Sequence, residues 1–256
     1  MKARKERLDV LVVERGLAES RAKAQALILA GQVVVGDQRV DKPGALVATE
    51  SELRLKGEVL PYVSRGGLKL KGALDHFGLD VRGRVAADIG ASTGGFTDCL
   101  LQEGAVRVHA IDVGYGQLHE KLRVDPRVRS RERVNARYLT AEDLPEPVGV
   151  VVIDVSFISL TQVLPAVLPF LQPGGLLVAL VKPQFEVGRD RLGKGGVVRD
   201  AQARQEAIDA VTAFVREQGL GVRGLMDSTV PGPAGNVEAL LVAEKGQAVV
   251  SPPARP

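Results

Sequence analysis

Beyond residue 65, short apolar runs alternate along the chain with longer segments in which apolar residues recur every three or four positions. The short runs have the length of buried strands, and the longer segments have the period of helices. Strands that alternate with helices are typical of a parallel sheet that is covered on both faces. The sequence therefore predicts an α/β, doubly wound domain, with strands at 85–88, 106–112, around 128, 148–154, 176–181, 222–227 and 238–244 and helices at 67–77, 97–103, 160–171 and 201–218.

The last two predicted strands, 222–227 and 238–244, have no helix between them. They are joined instead by a loop rich in proline and glycine at 231–235. Because strands without a crossover helix pair in opposite directions, we expect an antiparallel edge on this mostly parallel sheet.

The first 56 residues follow a different pattern. Apolar positions at helical spacing in 7–15 stop at Gly16, and Ser20 begins a second helix that ends at Gly31. Short runs of the β type follow at 33–35, 39–40 and 53–55, so this segment is interpreted as a small α+β module. We predict a first domain at 1–58, a linker at 59–64, the α/β domain at 65–246 and a flexible tail at 247–256.

The excess positive charge lies in the small module. Residues 1–56 hold 11 Lys and Arg against 8 Asp and Glu, whereas the rest of the chain is neutral. A basic module beside a neutral domain suggests a nucleic-acid anchor, although a solvated surface would give the same count. Asp9 and Glu14 are expected to be charges on the surface of a helix.

The chain of 256 residues has one cysteine and no apolar run long enough to cross a bilayer. The sequence therefore argues against a disulfide framework and against a spanning helix. Its first residues lack the apolar core of a signal peptide, so we expect a soluble, cytoplasmic protein. The three histidines are scattered without the spacing of a metal site, and no metal is expected.

The most informative motif runs from Asp88 to Asp98 and has glycines at 90, 94 and 95. It lies between a predicted strand and a predicted helix, where glycine lets the backbone approach a ligand and the helix start offers free N–H groups. Asp112 ends the next strand, where a carboxylate can bind both hydroxyls of a ribose. The motif predicts an adenosine-type cofactor, but its spacing alone fits NAD, FAD or S-adenosylmethionine.

Three ionisable residues lie where the strands of such a sheet begin or end, and a fourth lies on a helix that can cover the same end of the sheet. Asp154 ends the fourth predicted strand, Lys182 follows the fifth, Glu238 opens the last, and Lys69 lies on the helix before the first. In an open parallel sheet these ends face one crevice, where ligands bind. Two lysines and two carboxylates buried together are costly unless they pair, and such pairing can tune a lysine for proton transfer.

Motifs spread over 7–245 carry a resemblance to a known family. They lie at 7–9, 16–17, 20–21, 30–33, 35–36, 42–44, 63–70, 88–98, 112–118, 154–159, 182–188 and 231–238. With these motifs in this order, the chain resembles the TlyA family, whose first domain is an S4 RNA-binding domain. Its second domain is similar to the FtsJ/RrmJ-type ribose 2′-O-methyltransferases, a Rossmann-like fold. The linker at 60–63, Leu-Pro-Tyr-Val, departs from the basic residue and tryptophan of some members.

The resemblance implies an enzyme that uses S-adenosylmethionine to methylate a ribose 2′-hydroxyl, with cytidine in 16S or 23S ribosomal RNA as the usual target. The catalytic Lys-Asp-Lys-Glu tetrad of the family falls on Lys69, Asp154, Lys182 and Glu238. Lys182 would be the general base for the hydroxyl proton, oriented by Asp154 and Glu238. Lys69 would position the ribose and oppose the charge that develops on its oxygen.

The resemblance also implies the residues that contact the cofactor and the RNA. Asp88 could bind the cofactor or shape the loop instead, and Glu142 could take the place of Asp143 at the adenine. Glu186 is expected to shape the loop after Lys182, and the basic loop 188–196 either contacts RNA phosphate or is simply solvated. The cofactor residues are Asp88, Gly90, Ser92, Gly94, Gly95, Asp112 and Asp143, and the residues for ribosomal RNA or ribosomal subunits are Arg4, Lys5, Arg7, Arg21, Lys23, Arg39 and Arg65.

Two other classes of protein remain open at this point. A dinucleotide-dependent oxidoreductase would use the same glycine loop and Asp112, but it leaves the two lysines and two carboxylates unexplained. A membrane-active lysin is suggested by the hemolysin name that some relatives carry. The sequence offers this second class neither a spanning segment nor a secretion signal.

Overall fold

The chain divides into two units, residues 1–60 and 61–256. The computed structural model describes residues 4–36, 38–56, 60–188, 191–193, 195–232 and 235–246. The predicted tail at 247–256 and residue 59 of the predicted linker lie outside the described residues. The exact domain boundaries at 58 and 64 therefore stay predictions.

The first unit packs two helices against short antiparallel strands. The helix α2 begins where the Ser20 side chain accepts a hydrogen bond from the Lys23 N–H at 3.3 Å, as expected of a cap. Leu8, Val12, Ala24 and Ile28 form the centre of its apolar core, together with residues of the strands. Its elements are β1 (Lys5–Arg7), α1 (Leu8–Glu14), α2 (Arg21–Leu29), β2 (Val33–Val35), β3 (Gln38–Arg39), β4 (Leu46–Ala48) and β5 (Leu53–Leu55).

Two small sheets complete this unit. The strands β3, β2 and β5 pair in that order, which agrees with the predicted hairpin and last strand. The second sheet pairs β1 with β4, and the sequence did not predict it. Each of these strands has three residues, too few to show an alternation of apolar and polar positions.

The second unit is a seven-stranded sheet with helices on both faces. Its α-helices are α3 (Gly66–Phe77), α4 (Gly95–Gln102), α5 (Glu120–Arg123), α6 (Leu160–Val167), α7 (Pro183–Glu186) and α8 (Ala201–Glu217). Its strands are β6 (Val85–Ile89), β7 (Arg107–Ile111), β8 (Val128–Arg131), β9 (Val148–Ile153), β10 (Leu171–Val181), β11 (Leu220–Asp227) and β12 (Ala239–Lys245).

The strand order is β11-β12-β10-β9-β6-β7-β8. The five strands from β10 to β8 are mutually parallel, whereas β12 is antiparallel to both β10 and β11. The predicted α/β class, the parallel sheet and its antiparallel edge are confirmed. Because β12 runs backwards, its first residue pairs with the last residue of β10, Ala239 with Val181.

Neighbouring residues on the central strands point to opposite faces, and both faces are buried. Val150 and Val152 belong to a cluster with residues of α3 and α4, whereas Val151 and Ile153 belong to a second cluster with residues of α6 and α8. A strand buried on both faces has a continuous apolar sequence, which explains why these strands were found as unbroken apolar runs.

The ends of one helix and one strand differ from the prediction. The predicted helix 160–171 ends at Val167, and a 3-10 turn at Leu168–Phe170 leads into β10, which begins five residues before its predicted start. Proline at 169 has no N–H to continue the α-helical ladder, which favours the change. The short helix α7 was not predicted, because four residues carry no readable period.

Candidate active site

The glycine loop after β6 requires the glycines that the sequence places there. Gly90 and Gly94 have φ of +84° and +97°, a region that favours glycine. A Cβ at Gly90 would lie 2.5 Å from the carbonyl oxygen of Asp154, and one at Gly94 would overlap the Leu122 side chain. Ser92 adopts φ +48° between them. The loop thus packs directly against the end of β9, whereas Gly94 and Gly95 at the start of α4 are buried, and a Cβ at Gly95 would lie 2.2 Å from Oγ of Ser64.

Asp112 joins this loop to the end of β7. Its Oδ2 accepts a hydrogen bond from the Ser92 N–H at 2.8 Å, and its Oδ1 accepts one from the Gly114 N–H at 2.6 Å. The side chain therefore lies where the sequence placed it, at a strand end beside the glycine loop. The shallow pocket around it is lined by Ala91, Ser92, Ala110, Asp112, Gly114, Gln117, Leu118, Ser130 and Glu132.

Glu132 is a second carboxylate in that pocket, and sequence reasoning missed it. Its Oε1 accepts a hydrogen bond from the Gly116 N–H at 2.9 Å. A usable signal existed, because Glu132 directly follows β8 just as Asp112 directly follows β7. Adjacent parallel strands bring such residues to the same end of a sheet.

Asp88 is buried at the end of β6 with half of its carboxylate unpaired. Its Oδ2 accepts the Thr97 hydroxyl at 2.6 Å, whereas its Oδ1 accepts no hydrogen bond. Burial raises the pKa of Asp88 to about 7, although the Thr97 hydrogen bond opposes the shift. Asp88 thus shapes the loop through α4 and also leaves a buried acceptor available to a donor group, so both interpretations from the sequence agree with this geometry.

Asp143 and Glu142 lie in the turn before β9. The Oδ2 of Asp143 accepts hydrogen bonds from the N–H and the hydroxyl of Thr140 at 3.0 and 2.9 Å. Glu142 is exposed, and neither residue lines the pocket around Asp112. The structure assigns Asp143 the closing of its own turn, and its predicted adenine contact stays a prediction.

Lys69 and Glu238 form a buried ion pair. The Nζ of Lys69 on α3 donates to Oε2 of Glu238 at 2.6 Å, and the side chains are 10% and 1% exposed. The other carboxylate oxygen, Oε1, accepts no hydrogen bond and lies against Gly232, where a Cβ would come within 2.6 Å of it. Gly232 leaves room for that oxygen.

Lys182 and Asp154 form a second ion pair at the ends of β10 and β9. The Nζ of Lys182 lies 2.6 Å from Oδ1 of Asp154 and donates a hydrogen bond to Oγ of Ser156 at 2.8 Å. The two charged side chains are 12% and 23% exposed. Sequence reasoning missed Ser156, although it lies within the motif 154–159.

The strand pairing brings these two ion pairs to one end of the sheet. Val181 pairs with Ala239. Lys182 directly follows Val181 and Glu238 directly precedes Ala239, so both residues lie at the same end of this strand pair. The N–H of Asp154 donates to the carbonyl of Ile89 at 2.9 Å, beside the glycine loop. Each lysine has its own carboxylate, which offsets the cost of burial. Glu238 pairs with Lys69, so the expectation that Glu238 orients Lys182 is wrong in this structure.

The loop after Lys182 is held by structural contacts. Glu186 accepts hydrogen bonds from the Ser159 hydroxyl at 2.6 Å and the Leu160 N–H at 2.9 Å, and burial raises its pKa. It therefore caps the start of α6, which agrees with the expected shaping role. In the basic loop, Arg191 pairs with Glu206 and Asp200 of the α8 region, whereas Arg189 and Lys194 lie outside the described residues.

The predicted RNA-binding residues of the first unit are all exposed, and two of them share one buried partner. Arg7 and Arg21 both bind Asp9, which is 0% exposed. The expectation that Asp9 is a surface charge was wrong, because its carboxylate turns inward beneath the arginines. Glu14 is exposed as expected. The exposed basic residues are Arg4, Lys5, Arg7, Arg21, Lys23 and Arg39, and Arg65, in the second unit, is partly exposed before α3.

A run of arginines along the edge strand β8 was also missed. Arg129 and Arg131 are exposed, and the Arg133 guanidinium lies 4.2 Å from the ring centroid of Tyr115. Tyr115 and Tyr138 are 69% and 67% exposed. Exposed cations beside aromatic rings are typical of surfaces that bind nucleic acid. The signal was the density of arginine at 127–137.

Within the described residues, no group of three His, Cys, Asp or Glu side chains could hold a metal ion. In the same residues, the helices are too short or too polar to cross a membrane.

Comparison with known proteins gives two domain matches and several full-length relatives. Residues 62–245 match the FtsJ-like methyltransferase family, and residues 6–53 match the S4 domain. The 16S/23S rRNA (cytidine-2′-O)-methyltransferase TlyA of Mycobacterium tuberculosis is 48% identical over 240 residues, 93% of this chain and 90% of that protein. Hemolysin A of Brachyspira hyodysenteriae is 40% identical over 235 residues, 91% of this chain and 98% of that protein.

Solved structures agree with this similarity. A structure from Streptococcus thermophilus that carries a hemolysin name has 48% sequence identity and a TM-score of 0.79, and the match covers 96% of this chain and 91% of that one. An S-adenosylmethionine-dependent methyltransferase from Mesorhizobium loti has 14% identity and a TM-score of 0.51, over 68% of this chain and 96% of that one. The latter likeness concerns the fold alone.

Proposed function

Because this chain belongs to the TlyA family of FtsJ-like methyltransferases, we propose that it methylates a ribose 2′-hydroxyl of ribosomal RNA, with cytidine as the target nucleoside. The observation that carries the proposal is the pair of ion pairs, Lys69 with Glu238 and Lys182 with Asp154, at the end of the sheet beside the glycine loop. Such an arrangement suits proton transfer from a hydroxyl in a partly dehydrated cleft.

The residues present fit S-adenosylmethionine, which supplies a methyl group on a positively charged sulfur. The glycine loop, with Gly90, Ser92, Gly94 and Gly95, would hold the amino-acid half of the cofactor at the start of α4. Asp112, with Glu132 beside it, would take the ribose hydroxyls. The unpaired Oδ1 of Asp88 is a buried acceptor that suits an ammonium donor.

The chemistry assigned to the chain is proton removal and alignment. The ribose oxygen would form its bond to the methyl carbon while the bond from that carbon to sulfur breaks and leaves a neutral thioether, and the hydroxyl proton would pass to the Nζ of Lys182 in its neutral form. Asp154 and Ser156 hold that nitrogen in place. Lys69, fixed by Glu238, would position the ribose and oppose negative charge on its oxygen. Most of the rate gain would come from alignment of the two reacting atoms.

RNA binding is assigned to the S4 domain. Its exposed basic residues suit phosphate contacts on structured RNA, and no aromatic residue occurs in 1–56 for base stacking. The arginines along β8 would give the methyltransferase domain a second contact surface for RNA. The choice of cytidine in ribosomal RNA is proposed because the M. tuberculosis relative is a 16S/23S rRNA (cytidine-2′-O)-methyltransferase.

The test replaces Lys182 with alanine and measures methyl transfer to purified ribosomal subunits, together with cofactor binding by calorimetry. We expect the Lys182→Ala variant to lose at least about a hundredfold in turnover, the usual contribution of a general base, while it still binds the cofactor. The matched control is Lys71→Ala, on the same domain but in a half-exposed ion pair with Asp75. Normal turnover of the Lys182→Ala variant would overturn the assignment.

A second experiment identifies the target. Ribosomal RNA from a strain without the gene is digested and mapped by mass, and the lost ribose methyl group marks the substrate nucleotide. If no methyl group were missing from either large RNA, the assignment to ribosomal RNA would fail, whereas the methyltransferase chemistry would be judged by the first experiment alone.

A further inference from the structure

Asp9 is a buried carboxylate beneath the basic face of the S4 domain. It lies on α1 and is 0% exposed, and its backbone N–H donates to the carbonyl of Pro43 at 3.0 Å. Arg7 binds it through two parallel hydrogen bonds, from Nε to Oδ1 at 2.9 Å and from Nη2 to Oδ2 at 3.0 Å. The arrangement is the planar fork in which arginine holds a carboxylate most firmly.

Two further groups share the Oδ2 atom. The Nε of Arg21 donates to it at 3.0 Å, and the Nε2 of Gln25 donates at 2.8 Å. The flanking arginines lower the pKa of Asp9 far below its ordinary value, mainly through the Arg7 hydrogen bonds, so the carboxylate is charged at neutral pH. One buried anion therefore connects β1, α1 and α2 at the place where exposed cations gather.

The two arginines keep outward-facing donors. Their side chains are 44% and 56% exposed. Asp9 engages Nε and Nη2 of Arg7 and only Nε of Arg21, which leaves Nη1 of Arg7 and both Nη atoms of Arg21 for other acceptors. A guanidinium that is held on its inner edge presents its outer edge in one orientation, and phosphate oxygens accept from that edge.

A negative charge on this face needs a reason, because it reduces the attraction of the surface for RNA. The hydrogen bond from Gln25 to Asp9 already links α2 to α1. The further hydrogen bonds from Arg7 and Arg21 to Asp9 are therefore not needed to hold the two helices together. The lost attraction is outweighed by a smaller entropic cost of binding, because an arginine side chain that is already fixed loses less conformational freedom when it binds phosphate.

We propose that Asp9 is a positioning residue of the RNA-binding surface. It fixes the guanidinium groups of Arg7 and Arg21 so that their outer N–H groups meet neighbouring phosphates of structured RNA. The inference rests on the proposed RNA-binding function of the S4 domain and adds to it the residue that orders the surface.

The test is a double-mutant cycle on the full chain. Binding to a fluorescent RNA hairpin with about 20 base pairs, two turns of duplex of the kind that RNA-binding domains span, is measured for wild type, Asp9→Asn, Arg21→Ala and the double variant at one fixed salt concentration. Asp9→Asn removes a negative charge, so simple electrostatics expects tighter binding. If Asp9 positions the arginines, the Asp9→Asn variant should instead bind the hairpin roughly fivefold more weakly. Arg21→Ala should then lose much less affinity in the Asp9→Asn background than in wild type.

The matched control is Lys23→Ala on the same helix, because Lys23 is exposed and is not among the hydrogen-bond partners of Asp9. Its loss of affinity should be the same with and without Asp9→Asn. The same variants are assayed for methylation of ribosomal subunits, where Asp9→Asn should raise KM several-fold and leave kcat unchanged, a split that loss of folded protein would not produce.

Circular dichroism shows whether the Asp9→Asn variant folds. If it does not, a second variant tests the same proposal. Arg21→Lys keeps the charge at an exposed position but loses the Nε hydrogen bond to Asp9 that fixes the guanidinium, so the proposal expects a several-fold loss of RNA affinity there as well. Tighter or equal binding by Asp9→Asn with an additive cycle, or full affinity of Arg21→Lys, overturns the proposal. A wild-type chain that binds no hairpin and no ribosomal subunit would instead overturn the proposed function of the domain.

Discussion

At the scale of single residues, the site is a set of buried carboxylates that differ in what neutralises them. Asp154 and Glu238 each face a lysine, whereas Asp88 has only the Thr97 hydroxyl as its partner. Asp154 and Glu238 are each paired with a cation, whereas burial raises the pKa of Asp88 to about 7. Two measurements follow from this difference.

The buried pair of Lys69 with Glu238 should be a strong determinant of stability. Lys69→Met leaves Glu238 buried without its cation, and we expect the free energy of unfolding to fall by about 3–5 kcal/mol in urea. Lys71→Met, which breaks a half-exposed pair on the same helix, should change it by less than about 1 kcal/mol. Equal losses for the two variants would contradict the role of burial, and adding Glu238→Gln to Lys69→Met should recover most of the loss.

Asp88 should make the protein less stable as the pH rises from about 4 to about 7. Its pKa is raised to about 7 in the folded state, so the folded protein keeps a proton that the unfolded chain releases near pH 4. The free energy of unfolding should fall by up to about 1.4 kcal/mol per pH unit in that window and level off above it. Asp88→Asn should flatten this part of the curve, and an unchanged slope in that variant would refute the assignment.

At the scale of elements, the strands of the catalytic domain could be predicted because they are buried on both faces and appear as apolar runs. Three of the tetrad positions, Asp154, Lys182 and Glu238, could be predicted with them because they border such runs, whereas Lys69 lies on α3 and borders none. Pairing between those side chains could not be predicted, because it depends on where Lys69 of α3 comes to lie. The burial of Asp9 was missed for a similar reason, since its arginine partners come from β1 and α2.

The short helix α7 connects the strand that precedes Lys182 to α6 through Glu186. Glu186→Ala removes the acceptors of the Ser159 hydroxyl and the Leu160 N–H at the start of α6, and we expect the free energy of unfolding to fall by about 1–2 kcal/mol. Ser159→Ala should cost less in that background than in wild type, because its hydrogen bond to Glu186 is already lost and only the one that it accepts from the Thr161 N–H remains. Glu217→Ala, at an exposed position of α8, is the control and should have almost no effect. Fully additive losses would show that the two residues do not act together.

At the scale of the whole molecule, the family places an RNA-binding domain before a methyltransferase domain, and it explains the uneven charge along the chain. The glycine loop alone left the cofactor undecided, since its spacing also fits a dinucleotide. The match of residues 62–245 to FtsJ-like methyltransferases resolves that choice in favour of S-adenosylmethionine. The alternatives of an oxidoreductase and a membrane-active lysin gain no support from the structure or from the comparisons.

Ligand-dependent melting gives a test of this choice on the intact chain. S-adenosylmethionine at a hundred times its Kd should stabilise the folded state by about 2.7 kcal/mol and raise Tm by roughly 5 °C or more. NAD at the same concentration should leave Tm unchanged, because the family match assigns the glycine loop to S-adenosylmethionine. Asp112→Ala should abolish the shift with S-adenosylmethionine, and a comparable shift with NAD would reopen the oxidoreductase interpretation.

The antiparallel strand β12 determines when the sheet can be completed during synthesis of the chain. It enters the sheet between β10 and β11, both of which leave the ribosome before it, and it brings Glu238 to Lys69. Until synthesis has passed residue 245, the nascent chain has an open slot in its sheet and a lysine without its anion. A premature stop codon between 228 and 238 would therefore yield a polypeptide with an uncovered strand edge, prone to aggregation and without methyltransferase activity.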